Sequence, residues 1–259
     1  MKSHLVIPDT QIKPDSPTDM LAWVGEFIIQ KKPETIVCLG DFADMSSLSS
    51  YDKGKIAFEG RRYKDDITAS HKAMATLCNP INQYNKTRRR FKKKLYKPDM
   101  HLVLGNHENR ITRTIEDDSK LAGFMSIDDL NYQSYGWTVH DFLKIVELNG
   151  ISYSHYFTLP LSGNPIGGTI TNRLNKVGFS FCAGHQQTYE IGVKSLNNGK
   201  VIRGLVCGAF YIQDEVYKGP QSNNEFRGIF LLNAVHDGNY SLTEISLDYL
   251  CRKYENMPI

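Results

Sequence analysis

Cysteine is scarce in this sequence, and it has none of the spacings that hold metals or redox centres. The 259 residues include five cysteines, and no two of them form a Cys-x-x-Cys pair. A disulfide framework needs an even number of cysteines in a short chain, while zinc ribbons and thioredoxin-like sites need the paired spacing. Cys38, Cys182 and Cys207 stand in apolar runs. We therefore expect them to be small buried residues.

A long hydrophobic run is also missing. No apolar stretch approaches the roughly 20 residues that span a bilayer. The first residues contain neither the apolar core of a signal peptide nor a small-residue cleavage site. The composition, with 41% hydrophobic and 23% charged residues, is that of an ordinary globular protein. We expect a single domain spanning residues 1–259, located in the cytoplasm and without a membrane partner.

Negative charge is absent from one segment. Residues 86–97, called the basic segment below, carry eight positive charges and no negative one, whereas the whole chain has a net charge of only +3. We predict that this segment is helical. A solvated helix end is the usual outcome for such a run. The alternative is a surface for a nucleic-acid backbone, with Phe91 and Tyr96 available for stacking.

Short apolar runs that stop at polar residues recur along the chain. Periodicity predicts five such strands, and each ends just before groups that can bind metals. Asp9 and Gln11 follow residues 4–7, Asp41 and Asp44 follow residues 35–39, Asn106 and His107 follow residues 100–104, His155 follows residues 151–154, and His185 and Gln187 follow residues 177–183. Any one of these runs alone is also compatible with a strand and a polar turn.

The first two of these strands are separated by an amphipathic helix, with Leu21, Val24 and Phe27 on its apolar face. A β-α-β unit running in one direction places Asp9 and Asp41 next to each other at the carboxyl ends of the strands. Two carboxylates in this position repel each other unless a cation lies between them. The pattern therefore indicates a metal site.

Further elements follow from periodicity and turn signals. We predict a helix over residues 65–84, a hairpin at Asn149-Gly150, strands over residues 205–211, 229–234 and 240–245, and a C-terminal tail.

The ordered set of motifs is more specific than its parts. Asp-x-Gln, Gly-Asp-x-x-Asp, Gly-Asn-His-Glu, His and Gly-His-x-Gln resemble the calcineurin-like metallophosphoesterase superfamily from about Asp9 to Gln187. The similarity is closest to short, phage-type members, and the cytoplasm would be that of a host cell if the protein is viral. The resemblance implies an α/β fold: a four-layer α-β-β-α sandwich of two mixed sheets flanked by helices. It also implies two divalent metal ions.

The resemblance assigns a role to each motif residue. Asp41 would bridge both ions, and His107 would donate a proton to the leaving oxygen while Asp44 orients its imidazole. Arg110 lies just past the Gly-Asn-His-Glu loop, and its charge would suit a contact with a non-bridging phosphate oxygen or a place on the surface equally well. We expect Glu108 to support the loop instead of binding metal. The remaining ligands would be Asp9, Gln11 and Gln187 for the first ion, and Asn106, His155 and His185 for the second.

The chain departs from the family pattern at the first ion. Gln11 and Gln187 stand where the family has histidines, so the first site would consist of oxygen ligands only. Such sites suit Mn²⁺ or Mg²⁺ better than zinc. We expect Mn²⁺ as the cofactor and a weak first site.

Three functions are compatible with these features. The leading one is a metal-dependent phosphoesterase that attacks its substrate with a metal-bridging hydroxide. The basic segment favours a nucleotide or nucleic-acid phosphodiester as the substrate. The alternatives are a phosphomonoesterase or protein phosphatase of the same fold, and a degenerate, non-catalytic member that binds nucleic acid.

Overall fold

Two mixed β-sheets lie face to face in the computed structural model, which describes residues 2–214, 221 and 224–255. The described strands are, in chain order, β1 (Lys2–Ile7), β2 (Thr35–Cys38), β3 (Asp99–Val103), β4 (Thr138–His140), β5 (Val146–Leu148), β6 (Ile151–Ser154), β7 (Phe181–Ala183), β8 (Tyr189–Ser195), β9 (Val201–Cys207), β10 (Gly228–His236) and β11 (Asn239–Ser246). The described helices are α1 (Asp19–Lys31), α2 (Tyr63–Arg90), α3 (Arg110–Asp117), α4 (Ile170–Val177) and α5 (Leu247–Glu255).

The two sheets differ in strand order but share a parallel centre. The first has the order β11-β10-β1-β2-β3-β4, in which β1, β2, β3 and β4 are parallel and β10 runs antiparallel to β1. The second has the order β5-β6-β7-β9-β8, in which β6, β7 and β9 are parallel. The antiparallel β5–β6 pair is the hairpin predicted from Asn149-Gly150.

Alternating side chains on the strands produce four layers. On β1, Leu5 packs against the helices α1, α2 and α5, whereas Val6 belongs to the apolar cluster between the two sheets, with Tyr153 of β6. On the outer face of the second sheet, Phe181 packs with Leu174 of α4. This α-β-β-α arrangement of two mixed sheets confirms the predicted fold class.

The polar loops after the central strands meet at one edge of the sandwich. Parallel pairing brings the carboxyl ends of β1, β2 and β3 side by side. The carboxyl ends of β6, β7 and β9 join them. The Gly184 amide after β7 donates to the His155 carbonyl after β6 at 3.0 Å, and the Phe210 amide after β9 donates to the Asp9 carbonyl after β1 at 2.7 Å. This edge holds the residues that the motifs single out.

The helix predicted over residues 65–84 is longer than expected. It begins at Tyr63 and continues through Pro80 to Arg90. Proline removes one helical hydrogen bond, but here its ring fills the contact between α1 and α2, where a Cβ on Gly25 would lie 2.7 Å from Pro80 Cγ. The basic segment is therefore helical only to Arg90. Beyond it the chain turns, with Lys92 in the left-handed region, which corrects the prediction of a helix over residues 86–97.

Other boundaries also need correction. The strand predicted over residues 177–183 is confined to Phe181–Ala183, because α4 precedes it and ends at Gly178, whose φ of 79° caps the helix. The strand predicted over residues 205–211 ends at Cys207, and the predicted tail begins with α5. No helix among the described residues is long and apolar enough to cross a bilayer. The assignment of residues 1–259 to one domain stays a prediction.

Candidate metal centre

The predicted ligands other than Asp41 form two groups on either side of this residue, which we call the histidine wall and the glutamine wall. The histidine wall consists of Asn106, His155 and His185, and the glutamine wall consists of Asp9, Gln11 and Gln187. One ligand atom each from Asp41, His155 and His185 lies within 4.8 Å of the others. Three residues far apart in sequence thus meet at one point, as the strand ends predicted.

His155 shows how the histidine wall is oriented. Its Nδ1 lies 2.7 Å from the Leu39 carbonyl, which can only accept, so Nδ1 carries the proton. Its Nε2 lies 2.9 Å from Asn106 Oδ1 and 3.3 Å from Asp41 Oδ2. In the neutral imidazole, the lone pair of Nε2 and two oxygens therefore face one another. These three atoms can all act as ligands of one cation. A combination of imidazole nitrogen and oxygen ligands suits a divalent transition metal.

The pKa values of the histidines reflect the same crowding. Burial lowers the pKa of His155, but the carboxylates of Asp41 and Asp9 outweigh burial and raise it to about 9. Burial and the neighbouring charge on His155 lower the pKa of His185 to about 4. Burial opposes ionisation of Asp41, but His107 and His155 hold its pKa well below the usual range. A positive charge is therefore favoured at the centre of the cluster.

Asp9 anchors the glutamine wall. The backbone amide of His185 donates to both Asp9 oxygens, at 3.0 and 3.1 Å. This approach requires a glycine beforehand, because a Cβ on Gly184 would lie 2.4 Å from Asp9 Oδ1. Burial and the charge of Asp41 raise the pKa of Asp9 to about 7, against the opposing effect of His155. A buried carboxylate in this position is stabilised in its charged form by a cation.

The two glutamines are buried and held by unusual backbone geometry. Gln11 and Gln187 have φ angles of 44° and 57°, and Asp41 and His185 have φ angles of 48° and 67°. Four of the seven predicted ligands therefore occupy the left-handed region, which L-residues other than glycine adopt at a cost. The Gln187 Oε1 accepts a hydrogen bond from the Tyr211 hydroxyl at 2.8 Å. The amide oxygen expected to face the first ion is thus already engaged.

His107 lies beside Asp41 and is held from two directions. Its Nδ1 lies 2.5 Å from Asp44 Oδ1, its Nε2 lies 3.2 Å from Arg110 Nη2, and its backbone amide donates to Asp41 Oδ1 at 2.9 Å. Burial lowers the pKa of His107, but Asp41 and Asp44 outweigh it and raise the pKa. Arg110 also donates to the Asp44 carbonyl at 2.8 Å, so its guanidinium lies inside the site. The structure thus places the predicted acid, its orienting carboxylate and the predicted phosphate contact together.

Glu108 contacts the backbone of two loops and not the predicted ligands' side chains. Its carboxylate accepts the backbone amides of Asp41, Ala43 and Gly105 at 2.8 to 2.9 Å. These bonds join the loops after β2 and β3, and they explain why Glu108 does not face the ligands. Burial and the charge of Asp41 raise the pKa of Glu108.

Three residues near the ligands were missed by sequence reasoning. Tyr211 holds Gln187, and its only sequence signal was its place at the end of a predicted strand. The ring of Tyr156 packs 4.7 Å from that of His185. Arg173, on the missed helix α4, donates to the carbonyls of Ile166 and Gly168 and to the side chain of Gln186. No local sequence pattern predicts these contacts, because they depend on tertiary packing.

Many solved structures are similar to this chain, and two examples are similar to it over almost its whole length. YfcE, a phosphoesterase from E. coli, is 12% identical, with 95% of this chain and 99% of that chain covered and a TM-score of 0.38. Vps29 from Chaetomium thermophilum is also 12% identical, with 95% and 97% covered and a TM-score of 0.39. A search of curated protein sequences found no match.

A family model gives the decisive comparison. The model described as calcineurin-like phosphoesterase matches residues 4–198, which is well over half of the chain and includes both walls, Asp41 and His107. This match confirms the resemblance inferred from the motifs, and the family implies divalent metals and hydrolysis of phosphate esters. The chain belongs to the calcineurin-like phosphoesterase family.

Proposed function

We propose that this protein hydrolyses phosphate esters with two divalent metal ions, and that His107 donates a proton to the leaving oxygen. The supporting observation is the contact of His107 with Asp44 beside the ligand cluster. Because an ionised carboxylate can only accept, Nδ1 of His107 carries a proton and Nε2 is the atom that exchanges one with the substrate. That nitrogen lies 3.7 Å from Asp41 Oδ2, at the edge of the cluster.

Each residue around the cluster would have a separate role in the reaction. Bound divalent cations would neutralise charge on the phosphoryl group and activate a water molecule for attack. Asp41, between the two walls, would be shared by both cations. Asp44 keeps the His107 ring in one orientation. Arg110 would place a positive charge near the non-bridging oxygens of the phosphate.

The ligand chemistry favours Mn²⁺. The glutamine wall supplies only oxygen atoms, if its amides bind through oxygen, whereas the histidine wall supplies two imidazoles and an amide oxygen. Mn²⁺ accepts both kinds of ligand, while an all-oxygen site is poor for zinc. We propose a tight site at the histidine wall and a weaker one at the glutamine wall.

For the substrate, we propose a phosphodiester of a nucleotide or nucleic acid. The support is the concentration of positive charge in the basic segment, since phosphodiesters in nucleic acids are bound largely through such charge. Hydrolysis of monoesters alone would favour the phosphatase alternative.

The test compares aryl and alkyl phosphodiesters in the presence of Mn²⁺, using wild type and His107→Ala. A good leaving group such as nitrophenolate needs little protonation, whereas an alkoxide needs a full proton. We therefore expect kcat to fall roughly tenfold on the nitrophenyl diester and about 10²–10⁴-fold on the alkyl diester. His71→Ala, a half-buried histidine on α2 that binds the Asp129 carbonyl, is the matched control and should leave both rates unchanged.

Two outcomes would contradict the proposal. An equal loss on both leaving groups would remove the proton-donating role of His107. A wild-type protein that binds Mn²⁺ but hydrolyses neither diesters nor a nitrophenyl monoester would support the non-catalytic alternative.

A further inference from the structure

The basic segment lies at the end of α2 remote from the metal centre. Near the start of α2, Asp66 accepts hydrogen bonds from Ser46 Oγ at 3.1 Å and from the Ser47 amide at 2.8 Å, just after Asp44. Arg88 lies 22 residues further along the same helix. At about 1.5 Å per residue the separation is roughly 33 Å. The basic segment also precedes β3, whose opposite end leads to Asn106.

Neutral hydrogen bonds fold the second half of the basic segment back against α2. The Asn85 side chain donates to the Tyr96 carbonyl at 2.7 Å and accepts the Tyr96 amide at 2.9 Å. The Tyr96 hydroxyl donates to the Pro33 carbonyl at 2.6 Å. The cations on the last turn of α2 and those on the irregular chain after it therefore belong to one surface.

No described carboxylate forms an ion pair with the cations of this surface. None of the eight cations forms an ion pair within 4.0 Å of a described carboxylate, and residues 67–98 contain no aspartate or glutamate. Lys32 from the end of α1 adds a ninth charge, with its Nζ 4.8 Å from the centre of the Tyr84 ring. Charges gathered this way repel one another. A polyanion relieves that repulsion when it binds.

The aromatic residues favour a single nucleic-acid strand as the polyanion. Phe91 is 61% exposed, and the Arg90 guanidinium lies 5.8 Å from its ring centre. Exposed aromatic rings among cations are the usual platform for unpaired bases. Tyr96, the other residue expected to stack, is half-buried and bonded to Pro33, so Phe91 alone offers a free ring within the basic segment. Tyr84 contributes by orienting Lys32 and Arg88.

We propose that the basic segment and Lys32 form a binding surface for single-stranded nucleic acid, separate from the metal centre. The exposed side of α2 between the two sites carries Lys64 and Lys72, and after Asp66 it has no acidic residue. A strand can therefore follow the helix towards Asp44. At the spacing of stacked bases, about 3.4 Å per nucleotide, at most roughly ten nucleotides bridge the 33 Å. This bridging, unlike the binding itself, rests on the proposed function.

The binding test uses the full chain in EDTA, so that no hydrolysis occurs, and a labelled 30-nucleotide oligothymidylate followed by fluorescence anisotropy. The variant is the triple charge reversal Arg89→Glu, Arg90→Glu and Lys93→Glu, at three exposed residues. We expect its affinity at 0.1 M salt to be at least about tenfold lower than that of wild type. The slope of log K against log salt should become shallower by about 2, because roughly 0.7 counterion is released per contact.

A matched control makes the same change in charge elsewhere. Lys144, Lys176 and Lys200 are exposed residues of the second-sheet half of the chain, and their reversal to glutamate should leave affinity within about twofold to threefold of wild type. Phe91→Ala should weaken binding of the single strand severalfold and leave binding of a 30-base-pair duplex unchanged. Thermal melting of each variant confirms that it is folded.

Three results would overturn the proposal. The first is an unchanged affinity of the Arg89, Arg90 and Lys93 variant, which would make the segment a solvated helix end. The second is an equal loss in both triple variants, which would mean a diffuse effect of net charge. The third is binding to phosphatidylserine vesicles, lost in the basic-segment variant, without any binding of oligonucleotide.

A separate arm with Mn²⁺ tests the bridging. Charge reversal should raise KM about tenfold for a 30-nucleotide substrate, and it should leave KM unchanged for a four-nucleotide substrate and for a nitrophenyl diester. If wild type hydrolyses none of these yet still binds oligonucleotide in EDTA, the proposed function fails while the binding surface stands. If KM shifts equally for all substrates, bridging is excluded.

Discussion

The histidine wall and the glutamine wall meet at Asp41, but they hold their ligand atoms differently. In the histidine wall, the proton on Nδ1 of His155 is fixed by the Leu39 carbonyl, and Nε2 is left facing Asn106 and Asp41. In the glutamine wall, the Gln187 oxygen already accepts a hydrogen bond from Tyr211. The histidine wall thus leaves its nitrogen facing two oxygens, whereas the glutamine wall has an oxygen that is already engaged. We therefore expect the two ligand sets to differ in their affinity for a cation.

The largest effect is expected where the histidine wall loses its central ligand. His155→Ala removes the Nε2 atom and leaves the Leu39 carbonyl without its donor. Because loss of a partner that merely orients a ligand costs 10- to 100-fold in affinity, loss of the ligand itself should cost more than about 100-fold in the tighter Mn²⁺ constant. Calorimetric titration measures it. A second, weaker binding event should remain, and equal loss of both events would contradict the distinction between the walls.

The next largest effect is expected at Glu108, which holds the backbone of Asp41, the residue that lies between the two walls. Glu108→Gln leaves a single acceptor oxygen where the carboxylate accepts three backbone amides. We expect the free energy of unfolding to fall by about 1–3 kcal/mol, since buried donors lose their partners. Both Mn²⁺ constants should weaken together, because Asp41 is the ligand that we propose both sites share.

The measurements for Glu108→Gln are urea denaturation and calorimetry. Glu147→Gln on β5, at an exposed position, is the matched control. Weakening of only one Mn²⁺ constant would mean that the two loops are coupled through a residue other than Glu108.

Gln187→His should make the ligands of the glutamine wall more like those of the histidine wall. An added imidazole should raise the affinity of the first site for zinc by roughly tenfold, because nitrogen ligands suit zinc better than amide oxygen does. Gln186→His, one residue earlier and held by Arg173, is the matched control and should have no such effect. Competition with a chromogenic chelator gives the constants. An unchanged first constant would mean that residue 187 does not reach the ion.

The smallest effect isolates the hydrogen bond that engages Gln187. Tyr211→Phe deletes one hydroxyl and should change the weaker Mn²⁺ constant by a fewfold, while the tighter one stays the same. Tyr132→Phe is the matched control, because Tyr132 is equally buried and its hydroxyl bonds to Ser70 instead. A change in the tighter constant only would place Tyr211 at the other wall.

The sequence was informative where one local rule decides the outcome. Asp9, Asp41, Asn106 and His155 follow buried strands, and parallel pairing takes the ends of such strands to one edge whatever the details of packing. The structure accordingly brings these residues together, while their roles as ligands stay predictions. The residue types and the order of the motifs resemble those of the family, and the family-model match over residues 4–198 confirms the resemblance.

The sequence was less informative where tertiary contacts override local preference. Pro80 normally argues for a helix end, but the close approach of α1 at Gly25 lets α2 continue to Arg90. That continuation carries the basic segment away from the metal centre, which composition alone could not indicate. The contact between Tyr211 and Gln187 joins residues 24 positions apart, and no periodicity describes it.

The left-handed backbone at Gln11, Asp41, His185 and Gln187 has a consequence for the lifetime of the protein. Each such residue costs about 1–2 kcal/mol, and four together are comparable to the 5–15 kcal/mol that typically separates folded from unfolded chains. A bound metal would offset this cost to the extent that it binds the folded state more tightly than the unfolded chain. Chelation should therefore speed proteolysis of the chain, and Mn²⁺ should slow it. Turnover of the protein would then follow the supply of metal, even when no substrate is present.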